Sequence, residues 1–195
     1  MRKKLILMIS VLVMIILVVR IYIVNKDVKK PLEIVYEKGE VVPFDGDFTE
    51  SSEDRIEGYT IQVLDSELLT LEEFYEKFDP ERELADDGYT EFYYIVKVVV
   101  GNESNDQGEM KGIFLDLFPL VGIEYLSLID NMAFEKMNPD MPATSFALRK
   151  GTTKEMLIPY SFNPEVTLDR EEIIKNPPML QITEYPTRKL IKTVE

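Results

Sequence analysis

An all-β domain, an antiparallel sandwich carrying one or two short helices behind a single N-terminal transmembrane helix, is predicted by three observations. The chain opens on a long apolar run. Beyond residue 24, most of the chain consists of short runs of aromatic and β-branched residues separated by Gly, Asn and Pro turns. At 195 residues and 45% hydrophobic content, the chain has room for one ordinary core beside the apolar segment.

The opening segment comes first. Arg2, Lys3 and Lys4 precede Leu5–Val19, in which only Ser10 is polar, and Ile21–Val24 continue the run after Arg20. Leu5–Val24 is 20 residues, about 30 Å as a helix, which matches the hydrocarbon thickness of a bilayer. Arg20 near its end can snorkel to the headgroups, and Tyr22 suits the same interface. A cleaved signal peptide needs small residues at its cleavage site. Val18 to Val24 are almost all bulky, so an uncleaved anchor over 1–24 is expected. Basic residues flank both ends, with Lys26, Lys29 and Lys30 on the far side. The signal-like order decides for a cytoplasmic N-terminus and a C-terminal domain outside the cytoplasm, in the cell membrane.

Residues 25–32 read as a polar, basic stalk ending near Pro31, and 33–195 as the displayed domain. Glu33–Phe44 holds a short strand broken at Gly39. Asp45–Gly58 is acidic, turn-rich and without apolar period, and reads as a mobile loop. Strands are expected at Tyr59–Leu64, Phe92–Val100, Ile113–Phe118, Ser145–Arg149, Glu155–Tyr160, Met179–Tyr185 and Lys189–Val194. Thr70 with Glu73 makes a capping box, and Leu71, Phe74, Tyr75 and Phe78 recur at helical spacing until Pro80. A second capping box, Asp169 with Glu172, opens a short helix around Ile173 that Asn176-Pro177-Pro178 closes.

Composition excludes much chemistry. The chain has no His, Cys or Trp, which removes His-based triads, thiol nucleophiles and the usual zinc sites. There are 36 acidic and 22 basic residues, a net −14, which repels nucleic acid. Four of the basic residues, Arg2, Lys3, Lys4 and Arg20, belong to the anchor, so from Asn25 onward the balance is 36 against 18, or −18.

Acidic and polar clusters are the remaining candidates. Asp45, Asp47 and Glu50 offer closely spaced oxygens, but the Gly and Glu that a helix-loop-helix calcium site needs at its sixth and twelfth positions are Glu50 and Ile56. A looser calcium site in Asp45–Asp54, or at Asp86 and Asp87, is the alternative to a solvated loop. Glu72, Glu73 and Glu76 supply carboxylates, yet the first and last belong to the polar face of a helix and Glu73 to its cap. Asp65-Ser66-Glu67 lacks the Gly of an aspartic protease signature. Gly151-Thr152-Thr153-Lys154 lacks the spacing of a phosphate loop and reads as a hairpin turn. Asn102-Glu103-Ser104 matches a glycosylation acceptor by sequence. Tyr89, Phe92, Tyr93 and Tyr94, with Tyr125, Tyr160 and Tyr185, read as core bulk ahead of a ligand platform.

The order of features over Gly58–Phe78, Tyr94–Ser104, Asn138-Pro139 with Phe146–Tyr160, and Leu180–Lys189 resembles a family of membrane-anchored and lipoprotein surface domains of Gram-positive bacteria whose function is unknown. The resemblance implies an immunoglobulin-like, telokin-like sandwich and implies no catalytic residues. The expectation is a membrane-anchored extracytoplasmic binding or assembly module, not an enzyme, with no metal, cofactor or nucleic acid. Its partner is expected to be an envelope protein, an envelope polymer or a basic peptide. The alternatives are a defence protein that sequesters cationic antimicrobial peptides, and a carboxylate-dependent hydrolase of envelope glycans.

Overall fold

The computed structural model describes residues 2–26, 30–54, 56–81, 90–107, 112–141, 143–163 and 170–195. The chain divides into two units, Met1–Pro31 and Leu32–Glu195.

The first unit is built on helix α1, Arg2–Asn25, where every exposed side chain from Ile6 to Val24 except Ser10 and Arg20 is apolar. Over Ile6–Asn25 the mean hydropathy reaches 2.9. A helix of this length and composition can cross a membrane, a test that a signal sequence near the N-terminus also passes.

The second unit is mostly β. Its elements are β1 (Leu32–Tyr36), β2 (Val41–Pro43), β3 (Tyr59–Thr70), α2 (Leu71–Phe78), β4 (Phe92–Asn102), β5 (Ile113–Phe114), β6 (Leu120–Val121), β7 (Leu126–Ser127), α3 (Asn131–Met137), β8 (Ser145–Phe146), β9 (Thr152–Phe162), α4 (Arg170–Lys175), β10 (Met179–Thr183) and β11 (Thr187–Lys192). Strands β1-β11-β10-β6-β7 form one sheet, β2-β3-β4-β9 a second, and β5-β8 a small ribbon.

Strand β4 explains the arrangement. Its residues are apolar on both faces from Phe92 to Val96, so the strand needs cover on both sides. Phe92, Tyr94, Val96, Val98 and Val100 point into a core shared with Leu120, Leu180, Ile182 and Ile191 of the first sheet. Tyr93 and Ile95 point the other way, into a smaller cluster with Phe74 and Tyr75 of α2 and Ala133 and Met137 of α3. The Phe74 and Tyr93 rings stack with centroids 4.1 Å apart.

Buried polar groups tie the layers. The Tyr94 hydroxyl lies 2.7 Å from Thr193 Oγ1, which donates to the Pro178 carbonyl at 2.6 Å. Ser66 Oγ donates to the Thr193 carbonyl at 2.8 Å, so β3, β4 and the end of the first sheet share one network. Tyr160 is fully buried and donates to the Phe118 carbonyl at 2.7 Å, and burial raises its pKa.

Several sequence expectations hold and several do not. The break at Gly39 is real: at φ 91° it turns the chain from β1 to β2, and its N–H meets the Val63 carbonyl at 2.9 Å. Helix α2 carries the capping box, Glu73 N–H on Thr70 Oγ1 at 3.2 Å and Thr70 N–H on Glu73 Oε2 at 2.7 Å. The second box rests on Asp169, outside the described residues, though the short helix expected around Ile173 forms as α4, with Ile173 buried. The sheet is not purely antiparallel, because β1 runs parallel to β11; both strands start at the same end of the sheet, a long-range fact that local pattern does not carry. The strand expected at Ile113–Phe118 ends at Phe114 and passes into a 3₁₀ turn, Leu115–Leu117, and that at Ser145–Arg149 ends at Phe146. Helix α3 has no counterpart among the expected elements. Asp130 caps it, Oδ1 accepting from Ala133 N–H at 3.0 Å. The loop expected to be mobile is tied down instead: Phe48 bridges Tyr185, its N–H 2.7 Å from the Tyr185 carbonyl.

The cap generates a prediction. Thr70→Ala in the full-length chain in mild neutral detergent should cost about 1 kcal/mol, a melting temperature lower by about 2–4 °C. The backbone hydrogen bond from Thr70 holds the Glu73 carboxyl below its usual range. That contribution is complete at neutral pH and is lost as the pH falls through the lowered value. The melting difference between wild type and Glu73→Ala is therefore largest near neutrality and shrinks in acid; a difference that grows in acid contradicts the cap.

Candidate functional site

The acidic residues at the start of the Asp45–Asp54 segment already have a cation. Strand β2 ends at Pro43, and Gly46 at φ 77° turns the chain so that Asp47 faces inward. Opposite it Lys189 enters from β11, its side chain 4% exposed and that of Asp47 8%. Lys189 Nζ lies 2.8 Å from Asp47 Oδ2 and 3.5 Å from Asp45 Oδ2, and donates to the Pro43 carbonyl at 2.7 Å. The Thr187 N–H donates to Asp47 Oδ1 at 3.2 Å. Two of the carboxylates that the sequence offers to calcium, Asp45 and Asp47, thus face an ammonium group. Among the described residues no three His, Cys, Asp or Glu side chains gather where a metal ion would fit. Asp86, Asp87 and Tyr89 lie outside the described residues.

The other polar candidates are structural in their contacts. Glu72 and Glu76 are exposed on α2. Asp65-Ser66-Glu67 lies within β3, where Glu67 pairs with Lys77 at 2.6 Å and Ser66 belongs to the buried network. Gly151 takes φ 75° in a turn closed by Thr152 N–H on the Arg149 carbonyl at 3.1 Å. The strands flanking that turn belong to different sheets, so it is not the hairpin that spacing suggests. Asn102 is 2% exposed, and its Nδ2 donates to the carbonyls of Asn105 at 2.9 Å and Leu148 at 2.7 Å. The nitrogen that glycosylation would use is consumed inside the fold. Phe92, Tyr93, Tyr94 and Tyr160 are core, while Tyr185 is 45% exposed.

The outer face of the first sheet is a feature that sequence does not single out. Leu120, Leu180, Ile182 and Ile191 turn inward, so by alternation Val121, Met179, Leu190 and their register partners Leu126 and Val35 turn outward. Together with the β6–β7 turn, all of these but Val35 line a groove of about 560 Å³ that also includes Glu33, Glu124 and Arg188. Its wall is mixed: Ile123 is 74% exposed and Leu126 55%, Leu190 is buried, and Glu33, Glu124 and Arg188 supply charge. At one end Arg188 is held flat, Nε donating to Gln181 Oε1 at 2.9 Å and Nη1 to Glu33 Oε2 at 3.0 Å.

Tyr125 shapes the wall. Its ring meets Phe162 edge-on at 5.6 Å, and a Cβ added to Gly122 would stand 2.0 Å from it, so the turn needs a glycine there. The Tyr125 hydroxyl is the one buried side-chain polar atom among the described residues without a hydrogen-bond partner. Burial, then the neighbouring Tyr94, pushes its pKa up. The groove therefore presents exposed apolar side chains at Ile123 and Leu126, a fixed Arg188–Glu33 pair and a carboxylate at Glu124: a surface for holding a ligand. The signal that sequence does contain is a dense set of apolar residues, Val121, Ile123, Leu126 and Leu128, that no single period accounts for.

Two variants test the internal cation. Asp47→Ala leaves the buried ammonium with only the exposed Asp45 carboxylate at 3.5 Å and should cost about 3 kcal/mol, measured by urea unfolding. The double replacement Asp47→Leu with Lys189→Met removes both charges and should regain part of that loss. An Asp47→Ala protein as stable as wild type contradicts the pair's role.

No curated protein and no solved structure matches the chain. A family model does match residues 33–189, covering every strand from β2 to β10 and most of β1. The chain belongs to the family described as Domain of unknown function (DUF5028).

Proposed function

We propose that the chain is a single-pass membrane protein that displays an acidic binding or assembly domain outside the cytoplasm, held by an uncleaved signal anchor, and that it is not an enzyme. The observation that carries the reading is the partition of charge and apolarity. Residues up to Val24 hold four basic side chains and no acidic one around an apolar helix, while the rest of the chain is at −18. The bulky residues at Val18–Val24 support retention of the helix. A domain of this charge draws basic ligands and speeds their encounter. Its partner on this reading is an envelope protein, an envelope polymer or a basic peptide.

We also infer an immunoglobulin-like, telokin-like sandwich of the kind carried by Gram-positive surface proteins. Support comes from two β-sheets contributing to one core and from membership of a family of unknown function. The parallel β1–β11 pair departs from a purely antiparallel version of that class.

Protease added to intact cells should digest the domain and leave the anchor segment in the membrane fraction; a domain that survives until the cells are lysed reverses the proposed orientation. A lysine-rich peptide should bind the full-length chain in neutral-lipid nanodiscs, and its affinity should fall as salt rises from about 0.05 to 0.5 M. Affinity unmoved by salt removes charge from the account.

A further inference from the structure

We propose that the outer face of the first sheet is a docking surface for a basic amphipathic helix of a partner protein or peptide. This rests on the proposed function and names the partner's form and the place where it sits.

The two sheets differ in how their outer faces are treated. The second sheet has its face covered from within: α2 sets Phe74 and Tyr75 on Tyr93 and Ile95, and α3 adds Ala133 and Met137. On the first sheet Leu126, Val121 and Met179 lie in register and meet Lys192 on β11, while Val35 lies beside Leu190, which is buried opposite Gln181, and Ile123 stands exposed in the β6–β7 turn. Helices α2 and α3 pack chiefly on the second sheet, and α4 sets Ile173 into the core between the sheets. Apolar side chains left exposed on one sheet face, Val35, Leu126 and Ile123, on a chain that is 30% charged mark an interaction surface.

The form of the occupant follows from the hydrogen bonding of the face. Strands β11, β10 and β6 are paired on both sides, so the middle of the face offers no edge for an added strand. What covers a paired sheet is a helix lying on its side chains. Five strands spaced about 4.8 Å apart make a face about 19 Å across, which about 13 residues of helix span.

The charge of the occupant follows from its surroundings. Glu33 and Glu37 line one side, partly answered by Arg188 and Lys192 at 3.0 and 2.8 Å. Glu124 is exposed between Ile123 and the Tyr125 ring and has no salt-bridge partner among the described residues. With residues 25–195 at −18, a helix with lysine or arginine flanking its apolar stripe is attracted. A second copy of the same chain, or an anionic bilayer surface, is repelled.

The chain has no Trp, so a peptide carrying one Trp reports its own binding without background. The probe is a synthetic Leu/Lys helix of about 18 residues, roughly five turns, titrated onto the full-length chain in neutral-lipid nanodiscs. A scrambled peptide of the same composition but without an apolar face is the control. The amphipathic peptide should bind with a blue shift of its Trp emission, at least about tenfold more tightly than the scrambled one. Ile123→Ser with Leu126→Ser, both exposed and uncharged changes, should weaken it at least about tenfold. Glu124→Lys should weaken it further at low salt. Equal binding of both peptides, or binding indifferent to the Ser variants, overturns the docking surface and leaves the basic-ligand reading standing. Binding of neither peptide overturns both. Self-association of the wild type that the Ser variants abolish makes a second copy the occupant, which also overturns the inference.

Discussion

The domain depends on one constraint: β4 carries apolar residues on both faces and cannot leave either in water. One face is answered by the first sheet, which supplies Leu120, Leu180, Ile182 and Ile191. The other is answered by α2 and α3. With both helices committed there, the first sheet is left with an outer face on which Val35 and Leu126 remain exposed beside Ile123 of the β6–β7 turn. The groove beneath the β6–β7 turn is a consequence of that allocation.

The second determinant is polar and long-range. Lys189 is buried on β11 and needs oxygens; Asp47, Asp45 and the Pro43 carbonyl provide them from the chain that leaves β2. A buried pair of this kind adds little net stability compared with an apolar replacement, but an incorrect register would strand a charge in the interior. It therefore selects where β11 lies relative to β2, next to the parallel β1–β11 pairing that closes the same edge. The network of Ser66, Tyr94 and Thr193 does the same for the C-terminal end.

Local features are the legible ones. Helix α2 is readable because its cap, Thr70 and Glu73, and its apolar positions lie within nine residues of one another. β4 is readable as a strand because nothing else suits so many aromatic and β-branched residues in a row. β6 and β7 escape detection because two residues each leave no period to read. Helix α3 escapes it because Ala133, Phe134 and Met137 make a single turn of pattern, and the cap at Asp130 lacks a matching Glu. The pairing of Asp47 with Lys189 is invisible for a different reason: carboxylates close in sequence suggest a shared external cation, and only the fold shows that the cation is internal. The sequon at Asn102 fails likewise, since burial overrides a motif.

The central claim is that the outer face of the first sheet, not the acidic face of α2, receives the partner. Methyl NMR of the labelled full-length chain, titrated with an unlabelled Leu/Lys amphipathic peptide, tests it most directly. The account predicts that the methyl signals of Val35, Val121, Leu126, Met179 and Leu190 shift while those of Leu71 and Leu157, beside α2, stay in place. Shifts confined to the methyls around α2, or spread evenly over both sheets, would contradict it.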